Sequence, residues 1–240
     1  MNIAVIFAGG VGRRMRSKDL PKQFLELHNK PIIIHTLEVF QYSEEIDAIV
    51  VACVEDWIPH LEALLYRFRI SKVKKVVPGG ESGQLSIYCG LRAARELAGE
   101  QEDALVLIHD GVRPLITEQV LQDNIACVRQ HGSAITTAPV QETILVTDGQ
   151  GGILHVPDRA NSRVAKAPQS FWLRDVLRAH EKALEMGRRD FIDTCSMMQY
   201  FGHALHLVDG PLENIKITTP EDFYTMRAIL QAREDAQIYP

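Results

Sequence analysis

The order of apolar segments along the 240-residue chain restricts its fold more than any other feature of the sequence. Short apolar runs alternate with segments whose apolar residues recur at helical spacing, which is typical of βαβ units. The run ALVLIHD, residues 104–110, is apolar on both faces, as expected of a central strand covered by helices on both sides. The sequence therefore predicts an α/β fold of Rossmann-like type, with three layers and a mostly parallel sheet between helices.

The predicted elements alternate along most of the chain, and we detect no internal repeat or linker, so we expect a single domain over residues 1–240. The predicted strands are Asn2–Phe7, Ala48–Cys53, Lys74–Val77, Ala104–His109, Leu205–Val208 and Ile215–Thr218. The predicted helices are Pro31–Phe40, Trp57–Phe68, Ser82–Leu97, Glu118–His131, Leu173–Met186 and Asp193–Phe201. A last helix is expected to begin with Thr219 as N-cap and Pro220 at its first position.

The alternation is interrupted between residues 143 and 169. Here β-branched residues flank the stretch Asp148–Gly152, whose Asp-Gly and Gly-Gly pairs favour a hairpin turn. The segment has few large apolar residues for its length, so it is expected to project from the core as a β-arm. A two-stranded ribbon is marginal alone, and an identical subunit is the simplest surface to cover it. We therefore expect a homodimer formed through this arm.

Charge and cysteine content limit the classes of partner. A net charge of −5 and a pI near 6.0 argue against a protein that covers nucleic acid with positive charge. No apolar run approaches the length of a membrane span. The cysteines are far apart and form no C-x-x-C pair, so they are expected to be free thiols in a reducing compartment. We expect a cytoplasmic protein with neither nucleic acid nor membrane as a partner.

The first predicted strand leads into a turn rich in glycine and cations, FAGGVGRRMRSKDLPKQF, residues 7–24. Glycine lets backbone N–H groups approach a phosphate closely. The spacing fits neither common phosphate loop, because the third glycine of G-x-G-x-x-G would fall on Met15 and no G-K-[ST] follows. Arg13, Arg14 and Lys22 instead predict a cationic clamp over a polyphosphate, where charge stabilisation supplies most of the catalysis. A surface loop with solvated charges is the alternative interpretation.

Two later segments strengthen the prediction of a phosphate site. Asp110 ends a predicted central strand and is followed by Gly111; ligands of open α/β sheets bind at this edge, and a carboxylate there suits Mg²⁺. Asp110 could equally do no more than cap the next turn, and His109 is expected to support the strand end rather than perform chemistry. The segment Val77–Ser82, with Ser86 one turn later, offers further backbone donors for a base or ribose.

With these segments in order, the sequence resembles the polyol-phosphate cytidylyltransferases. These are the ribitol-5-phosphate enzymes of wall and capsule polymer synthesis and the 2-C-methyl-D-erythritol 4-phosphate enzymes of isoprenoid synthesis. The resemblance covers nearly the whole chain and lies nearer the ribitol-5-phosphate branch. The segments that carry it are AGGVGRRM, PKQFLEL, KPIIIHTLE, GGESGQLS, HDGVRP, the arm from APVQET to PDR, APQSF and ENIKITTPEDF.

The resemblance implies that an acceptor phosphate attacks the α-phosphorus of CTP and that pyrophosphate leaves, with Mg²⁺ or another divalent cation as cofactor. Arg14 and Lys22 would be the catalytic residues. The nucleotide would be bound by Phe7, Ala8, Gly9, Gly10, Gly12, Arg13, Gly80, Glu81, Ser82, Ser86, Asp110 and Gly111, and Asp110 would also bind the metal. The acceptor would be positioned by Thr143, Arg159, Asp193 and Lys216, where Thr143 and Arg159 would reach the active site of the other subunit.

Three positions depart from what the resemblance implies. Gly83 stands where these enzymes commonly carry an arginine, and Ala167 and Ile192 stand where they often carry a hydroxyl residue. Each lost hydrogen bond to a charged group is worth about 1.5 to 3 kcal/mol, enough to change the preferred polyol. The favoured acceptor is D-ribitol 5-phosphate, the alternative is 2-C-methyl-D-erythritol 4-phosphate, and a non-catalytic nucleotide-binding module is the alternative of another class.

Overall fold

The strands and helices of the protein follow the apolar segments of its sequence. The computed structural model describes residues 1–9, 20–99 and 104–238. The strands are β1 (Asn2–Ala8), β2 (Glu26–Leu27), β3 (Lys30–Pro31), β4 (Ala48–Cys53), β5 (Val73–Pro78), β6 (Leu105–Asp110), β7 (Ser133–Pro139), β8 (Val146–Thr147), β9 (Ile153–His155), β10 (Arg163–Trp172) and β11 (Leu207–Asp209). The helices are α1 (Ile32–Tyr42), α2 (Ile58–Arg67), α3 (Gly83–Ala98), α4 (Glu118–His131), α5 (Leu173–Glu185), α6 (Thr194–Tyr200) and α7 (Pro220–Ile238).

The central sheet of the described chain has seven strands in the order β11-β7-β10-β6-β1-β4-β5. β1 pairs in parallel with both β4 and β6, and β4 pairs in parallel with β5. Within this described sheet, β10 alone runs antiparallel to both of its neighbours, β6 and β7. The parallel pairs outnumber these two, which confirms a mostly parallel sheet. The carboxyl ends of β1, β4, β5 and β6 therefore meet at one edge.

Alternate residues of the central strands fill two separate cores, because successive side chains of a strand point to opposite faces. Ala4 and Ile6 of β1 pack on the side of α1, α2 and α4. Ile3 and Val5 pack on the other side, with α3, α5 and α6. Each fully buried Ile or Val contributes about 1.5 to 3 kcal/mol relative to an exposed one. The three-layer arrangement predicted from the sequence is confirmed.

Several helices begin with a side-chain cap at the residue the sequence indicates. Ser82 Oγ accepts a hydrogen bond from Leu85 N (3.2 Å) ahead of α3, and Thr219 Oγ1 accepts one from Asp222 N (3.4 Å) at the start of α7. Such caps satisfy backbone donors that have no partner within the helix, and each contributes about 1 kcal/mol. The predicted N-cap role of Thr219, with Pro220 at the first helical position, is confirmed.

The sheet differs from the predicted one in a strand that the sequence did not indicate and in a predicted strand that is absent from the described sheet. The strand β7 (Ser133–Pro139) was not predicted, because its small residues, SAITTAP, carry no strong apolar pattern. Residues 215–218 were predicted as a strand, but they form an extended segment outside the sheet, where Ile217 N donates to Val112 O at 3.0 Å. A run of β-branched residues favours a strand. Pairing in a sheet also requires an adjacent strand whose backbone groups are not yet paired, which the run itself does not indicate.

The predicted arm is longer than the segment that projects. β8 and β9 form an isolated two-stranded hairpin, but β10 (Arg163–Trp172) is a strand of the central sheet. Residues 167–171 are buried. Small side chains such as Ala167 and Ser170 fill this part of the core, so the low content of large apolar residues did not indicate exposure. The arm that leaves the core therefore ends before the central part of β10.

The cysteines behave as the sequence predicts. Cys53, Cys89, Cys127 and Cys195 are all free thiols. Burial raises the pKa of Cys53 and of Cys195 to about 11, so neither thiol is activated for chemistry. Within the described residues, no helix has both the length and the apolar content needed to cross a lipid bilayer.

Candidate active site

The carboxyl edge of the sheet brings the predicted nucleotide-binding segments together. Phe7 of β1 lies in register with Asp110 of β6, and Gly111 N donates to Phe7 O at 3.0 Å. On the other side of β1, Gly79 N donates to Cys53 O at 2.6 Å. The chain thus leaves β1, β5 and β6 at the same place, with a glycine next to each strand end.

Ser86 joins the first glycine loop to the second. Its Oγ accepts a hydrogen bond from Gly80 N (3.1 Å) and donates to Ser82 O (2.9 Å). A Cβ added at Gly9 would lie 2.7 Å from the same oxygen, which is too close for any larger residue. Gly9, Gly80 and Ser82 therefore lie around the buried Ser86 and form one surface with it, while the side chain of Glu81 is exposed.

A buried carboxylate held by two cations forms the charged centre of the site. Asp110 is 5 % exposed; Arg113 Nε lies 2.7 Å from its Oδ2 and Lys216 Nζ lies 2.6 Å from its Oδ1. Burial by itself raises the pKa of the Asp110 carboxyl, but the Lys216 ammonium and Arg113 guanidinium outweigh burial and lower this pKa to about 2. Arg113 is fixed in turn, since it also donates to Asn214 O at 2.9 Å.

Lys216 is the part of this centre that a ligand can reach. Its side chain is 40 % exposed, compared with 13 % for Arg113, and its Nζ lies 5.6 Å from the centroid of the Phe7 ring. The ion pair with Asp110 fixes one side of the ammonium and leaves the other available to a phosphate. Arg113 was not selected from the sequence, although the spacing Asp110 to Arg113 in HDGVRP places both in one turn.

His109 supports the strand end, as its position in the sequence suggested. The residue is fully buried and its Nε2 donates to Arg113 O at 3.1 Å. Burial lowers the pKa of His109 to about 4, so the imidazole is neutral at pH 7. It thereby holds the backbone of the turn that carries Arg113.

Lys22 is anchored close to the end of β1 by its neighbours. It opens a 3₁₀ helix, Lys22–Phe24, and is 9 % exposed. Gln23 Nε2 donates to Ala8 O at 2.8 Å, and the Phe24 ring stacks on Trp57 at 5.2 Å. The lysine predicted to be catalytic therefore lies next to a residue that contacts the end of β1. Gly10, Gly12, Arg13 and Arg14 lie outside the described residues.

A cavity of about 270 Å³ opens at this edge of the sheet. Phe7, Asp110, Asp193 and Lys216 are the predicted site residues among those that line it. The lining residues that sequence reasoning missed include Gln84, Arg113, Gln169 and His180. Gln84, Gln169 and Arg113 lie within the segments GGESGQLS, APQSF and HDGVRP but were not selected from them. His180 lies inside α5, where no local motif indicates it.

The three residues that depart from the resemblance also line this cavity. A Cβ built at Gly83 has no neighbour within 4 Å, so the position has room for the larger side chain that related enzymes carry. Ala167 is buried and Ile192 is exposed. The substitutions therefore change the wall of the cavity rather than a distant surface.

Asp193 has a structural role alongside its predicted one. Its Oδ1 accepts a hydrogen bond from Ser196 N (2.8 Å) and caps α6, and its Oδ2 accepts one from Gln169 Nε2 (3.0 Å). These bonds join α6 to β10 at the cavity wall. Its role in positioning the acceptor stays a prediction.

Thr143 and Arg159 do not reach this cavity within one chain. Both residues are exposed, and Arg159 donates to Gln141 O at 3.4 Å beside a second, more open cavity of about 450 Å³. The predicted role of the two residues in the site of another subunit stays a prediction.

The divalent cation that the resemblance implies stays a prediction. The described residues contain no group of three or more His, Cys, Asp and Glu side chains that could form a metal site alone. Asp110 offers one carboxylate, whose two oxygens already contact cations but keep free lone pairs. Mg²⁺ is commonly bound by one or two carboxylates and substrate phosphates, so Asp110 would be its single protein ligand beside a triphosphate, and this role stays a prediction.

Glycines and a cation-bound carboxylate at the carboxyl edge of an α/β sheet are typical of a nucleotide-binding enzyme. Comparison with known proteins specifies it further. Residues 2–232 match the family described as IspD: 2-C-methyl-D-erythritol 4-phosphate cytidylyltransferase, and the chain belongs to this family.

The relatives include enzymes for two acceptors. The chain is 54 % identical over 239 residues to the ribitol-5-phosphate cytidylyltransferase of Streptococcus agalactiae serotype III (strain NEM316), covering 100 % of this chain and 99 % of that one. It is 36 % identical over 230 residues to the 2-C-methyl-D-erythritol 4-phosphate cytidylyltransferase of Clostridium botulinum (strain 657 / Type Ba4), covering 96 % and 97 %. The crystal structure of 4-diphosphocytidyl-2C-methyl-D-erythritol synthase from Anaerococcus prevotii DSM 20548 matches with a TM-score of 0.81 at 28 % identity and covers 96 % of both chains.

Proposed function

We propose that this protein transfers the cytidylyl group of CTP to D-ribitol 5-phosphate, giving CDP-ribitol and pyrophosphate. The observation that carries the proposal is the 54 % identity, over the full length, to an enzyme named for this acceptor, against 36 % to one named for methylerythritol phosphate. CDP-ribitol would then serve the synthesis of teichoic acid or capsule polymers.

In the proposed reaction a phosphate oxygen of the acceptor forms a bond to the α-phosphorus of CTP. The bond from that phosphorus to the oxygen bridging to the β-phosphorus breaks, and pyrophosphate leaves with the electron pair. The attacking phosphate is already an anion at pH 7, so the step requires no general base. The protein's contribution is to position the two phosphates and to stabilise the charge that develops on them.

Lys216 is suited to hold the acceptor phosphate. Its ammonium is fixed by Asp110 at 2.6 Å and remains 40 % exposed toward the cavity. A cation fixed in advance loses little side-chain entropy when it binds an anion. Arg113 also contacts Asp110 and keeps it ionised. The ionised carboxylate in turn holds the Lys216 ammonium at the cavity.

The nucleotide is assigned to the surface formed by Gly9, Gly80, Ser82 and Ser86. The Gly80 N–H is already bonded to Ser86 Oγ, so this part of the surface is preorganised. Lys22 beside it, together with Arg14, would stabilise the triphosphate and the leaving pyrophosphate. Mg²⁺, bound by phosphate oxygens and by Asp110, would neutralise part of that charge.

We further propose that the protein works as a homodimer through the arm, in which Thr143 and Arg159 enter the partner's site. Exposed apolar side chains are concentrated here: Ile144, Leu145, Ile153, Leu154, Val156 and Val164. A hairpin of two short strands cannot bury these residues alone, and a second copy would cover them. The free cysteines support a reducing, cytoplasmic location.

The function is tested by incubating the protein with CTP, Mg²⁺ and either D-ribitol 5-phosphate or 2-C-methyl-D-erythritol 4-phosphate. We expect release of pyrophosphate and formation of CDP-ribitol at a kcat/KM at least tenfold above that for methylerythritol phosphate. Release with methylerythritol phosphate alone would assign the other acceptor. No release with any polyol phosphate, in the presence of measurable CTP binding, would indicate a non-catalytic binding module.

A further inference from the structure

The acceptor cavity contains a buried histidine that the mechanism above does not use. His180 of α5 lines the 270 Å³ cavity together with Lys216 and Asp110, and it is 1 % exposed. Its ring stacks on Tyr88 of α3 at a centroid distance of 6.0 Å and an interplanar angle of 20°. The orientation of the imidazole is therefore set by packing between two helices.

Neither ring nitrogen of His180 has a hydrogen-bond partner among the described residues. An unpaired buried polar group costs about 1 to 3 kcal/mol, so native proteins retain few of them. The amide side chains of the same cavity differ in this respect. Gln84 bonds to Arg188 O and Phe191 N, and Gln169 bonds to Asp193 and Cys195 N.

The imidazole of His180 is neutral, and its protonation is set by burial. Burial alone lowers the pKa of His180 to about 4, and no charged side chain contributes to this shift. A neutral imidazole has one N–H donor and one nitrogen acceptor. A hydroxyl group, which both donates and accepts, is complementary to it, whereas a phosphate belongs with Lys216 and Arg113.

We propose that His180 binds the hydroxyl of the acceptor that lies furthest from its phosphate, and so selects the length of the polyol. The inference rests on the proposed function, in which the acceptor phosphate lies at Lys216. The main chain of ribitol 5-phosphate is one carbon longer than that of methylerythritol phosphate, so its C1 hydroxyl lies further from the phosphate. Ile87 and Met197, which line the same cavity, cannot form a hydrogen bond with that hydroxyl, whereas the imidazole can.

The experiment combines a change in the protein with a change in the substrate. The kcat and KM of wild type and His180→Leu are measured with D-ribitol 5-phosphate and with 1-deoxy-D-ribitol 5-phosphate, which has a methyl group in place of the C1 hydroxymethyl. We expect the wild type to lose about tenfold in kcat/KM with the deoxy substrate, mostly through KM. We expect His180→Leu to lose about tenfold with ribitol 5-phosphate and to show nearly equal kcat/KM for the two substrates.

Controls separate recognition from a general loss of structure. The KM for CTP should stay unchanged in His180→Leu, and His180→Gln, which keeps a donor and an acceptor, should recover part of the preference for ribitol 5-phosphate. His203→Gln, at an exposed histidine away from the cavity, should behave as wild type.

Two results would overturn the proposal. One is a wild-type enzyme that uses both substrates equally, a measurement that needs no folded variant. The other is a folded His180→Leu that keeps the wild-type preference. A wild-type enzyme that is inactive with ribitol 5-phosphate but active with another polyol phosphate would instead contradict the proposed function itself.

Discussion

Asp110 and the β8–β9 hairpin differ in how far their side chains find partners within one chain. Asp110 is 5 % exposed and has a cation within 2.7 Å of each carboxylate oxygen, whereas Leu154 in the hairpin is 66 % exposed. The carboxyl edge of the sheet is completed within the chain, because neighbouring strands and the segment around Lys216 supply its partners. The hairpin has apolar side chains without a cover. Residues at the edge should therefore act within their own subunit, and those of the arm should require another.

The largest effect is expected at the clamp lysine on the completed edge. Lys22→Ala should lower kcat by about 100- to 1000-fold, since a preorganised charge that stabilises the transition state is removed. Steady-state measurement of pyrophosphate release gives the value, and thermal unfolding shows whether the fold persists. Lys74→Ala, at an exposed lysine of β5, is the matched control. Wild-type turnover in Lys22→Ala would remove the lysine from the mechanism.

The second effect separates binding from stability at the charged centre. Lys216→Ala should raise the KM for the acceptor by at least tenfold and lower the free energy of unfolding by about 1 to 2 kcal/mol, because Asp110 loses one of its two cations. Urea unfolding measures the stability. Adding Asp110→Asn removes the buried charge, so the double variant should regain stability but not activity. Recovery of activity would show that Lys216 matters only as the partner of Asp110.

The third effect tests whether the arm acts in another subunit. Lys22→Ala and Arg159→Ala should each be nearly inactive, but a mixture of equal amounts should recover about a quarter of wild-type activity. Half of the randomly formed dimers are mixed, and each mixed dimer has one intact site. Adding Leu154→Asp to both variants should prevent dimer formation, measured by sedimentation velocity, and abolish the recovery. An absence of recovery despite subunit exchange would place Arg159 in its own subunit's chemistry.

The smallest effect is the contribution of His180, the buried histidine of the cavity, to the pH dependence of the free energy of unfolding. His180 has a folded-state pKa of about 4 against an ordinary value of 6.5, so between these values the unfolded chain binds a proton that the folded chain does not. The free energy of unfolding should thus fall with decreasing pH, and His180→Leu should reduce this slope by about 1.4 kcal/mol per pH unit. Urea unfolding at several pH values measures it. Met197→Leu should shift the stability but keep the slope, and an unchanged slope in His180→Leu would contradict the burial of a neutral imidazole.

Local patterns were sufficient for most elements of the sheet and for the glycine turns. The apolar run of β6 and the start of α7 at Thr219 and Pro220 follow from residues close together in the sequence. The course of β10 does not follow from nearby residues, because its small side chains resemble those of an exposed segment. Its burial results from pairing with β6 and β7. Strand pairing depends on distant partners, and periodicity within a segment does not contain them.

The sequence by itself determined the α/β class, the positions of the glycine turns and the residue types that suit a phosphate. Local spacing and side-chain chemistry specify these properties. The three-dimensional arrangement was needed to show that Arg113 and Lys216 share Asp110, and that His180 lines the same cavity with no hydrogen-bond partner in the described part of the chain. Lys216 is more than a hundred residues from Asp110 in the chain, and His180 lies in a helix whose pattern predicts only a buried face. Contacts across such separations arise from packing around the sheet, which no local pattern encodes.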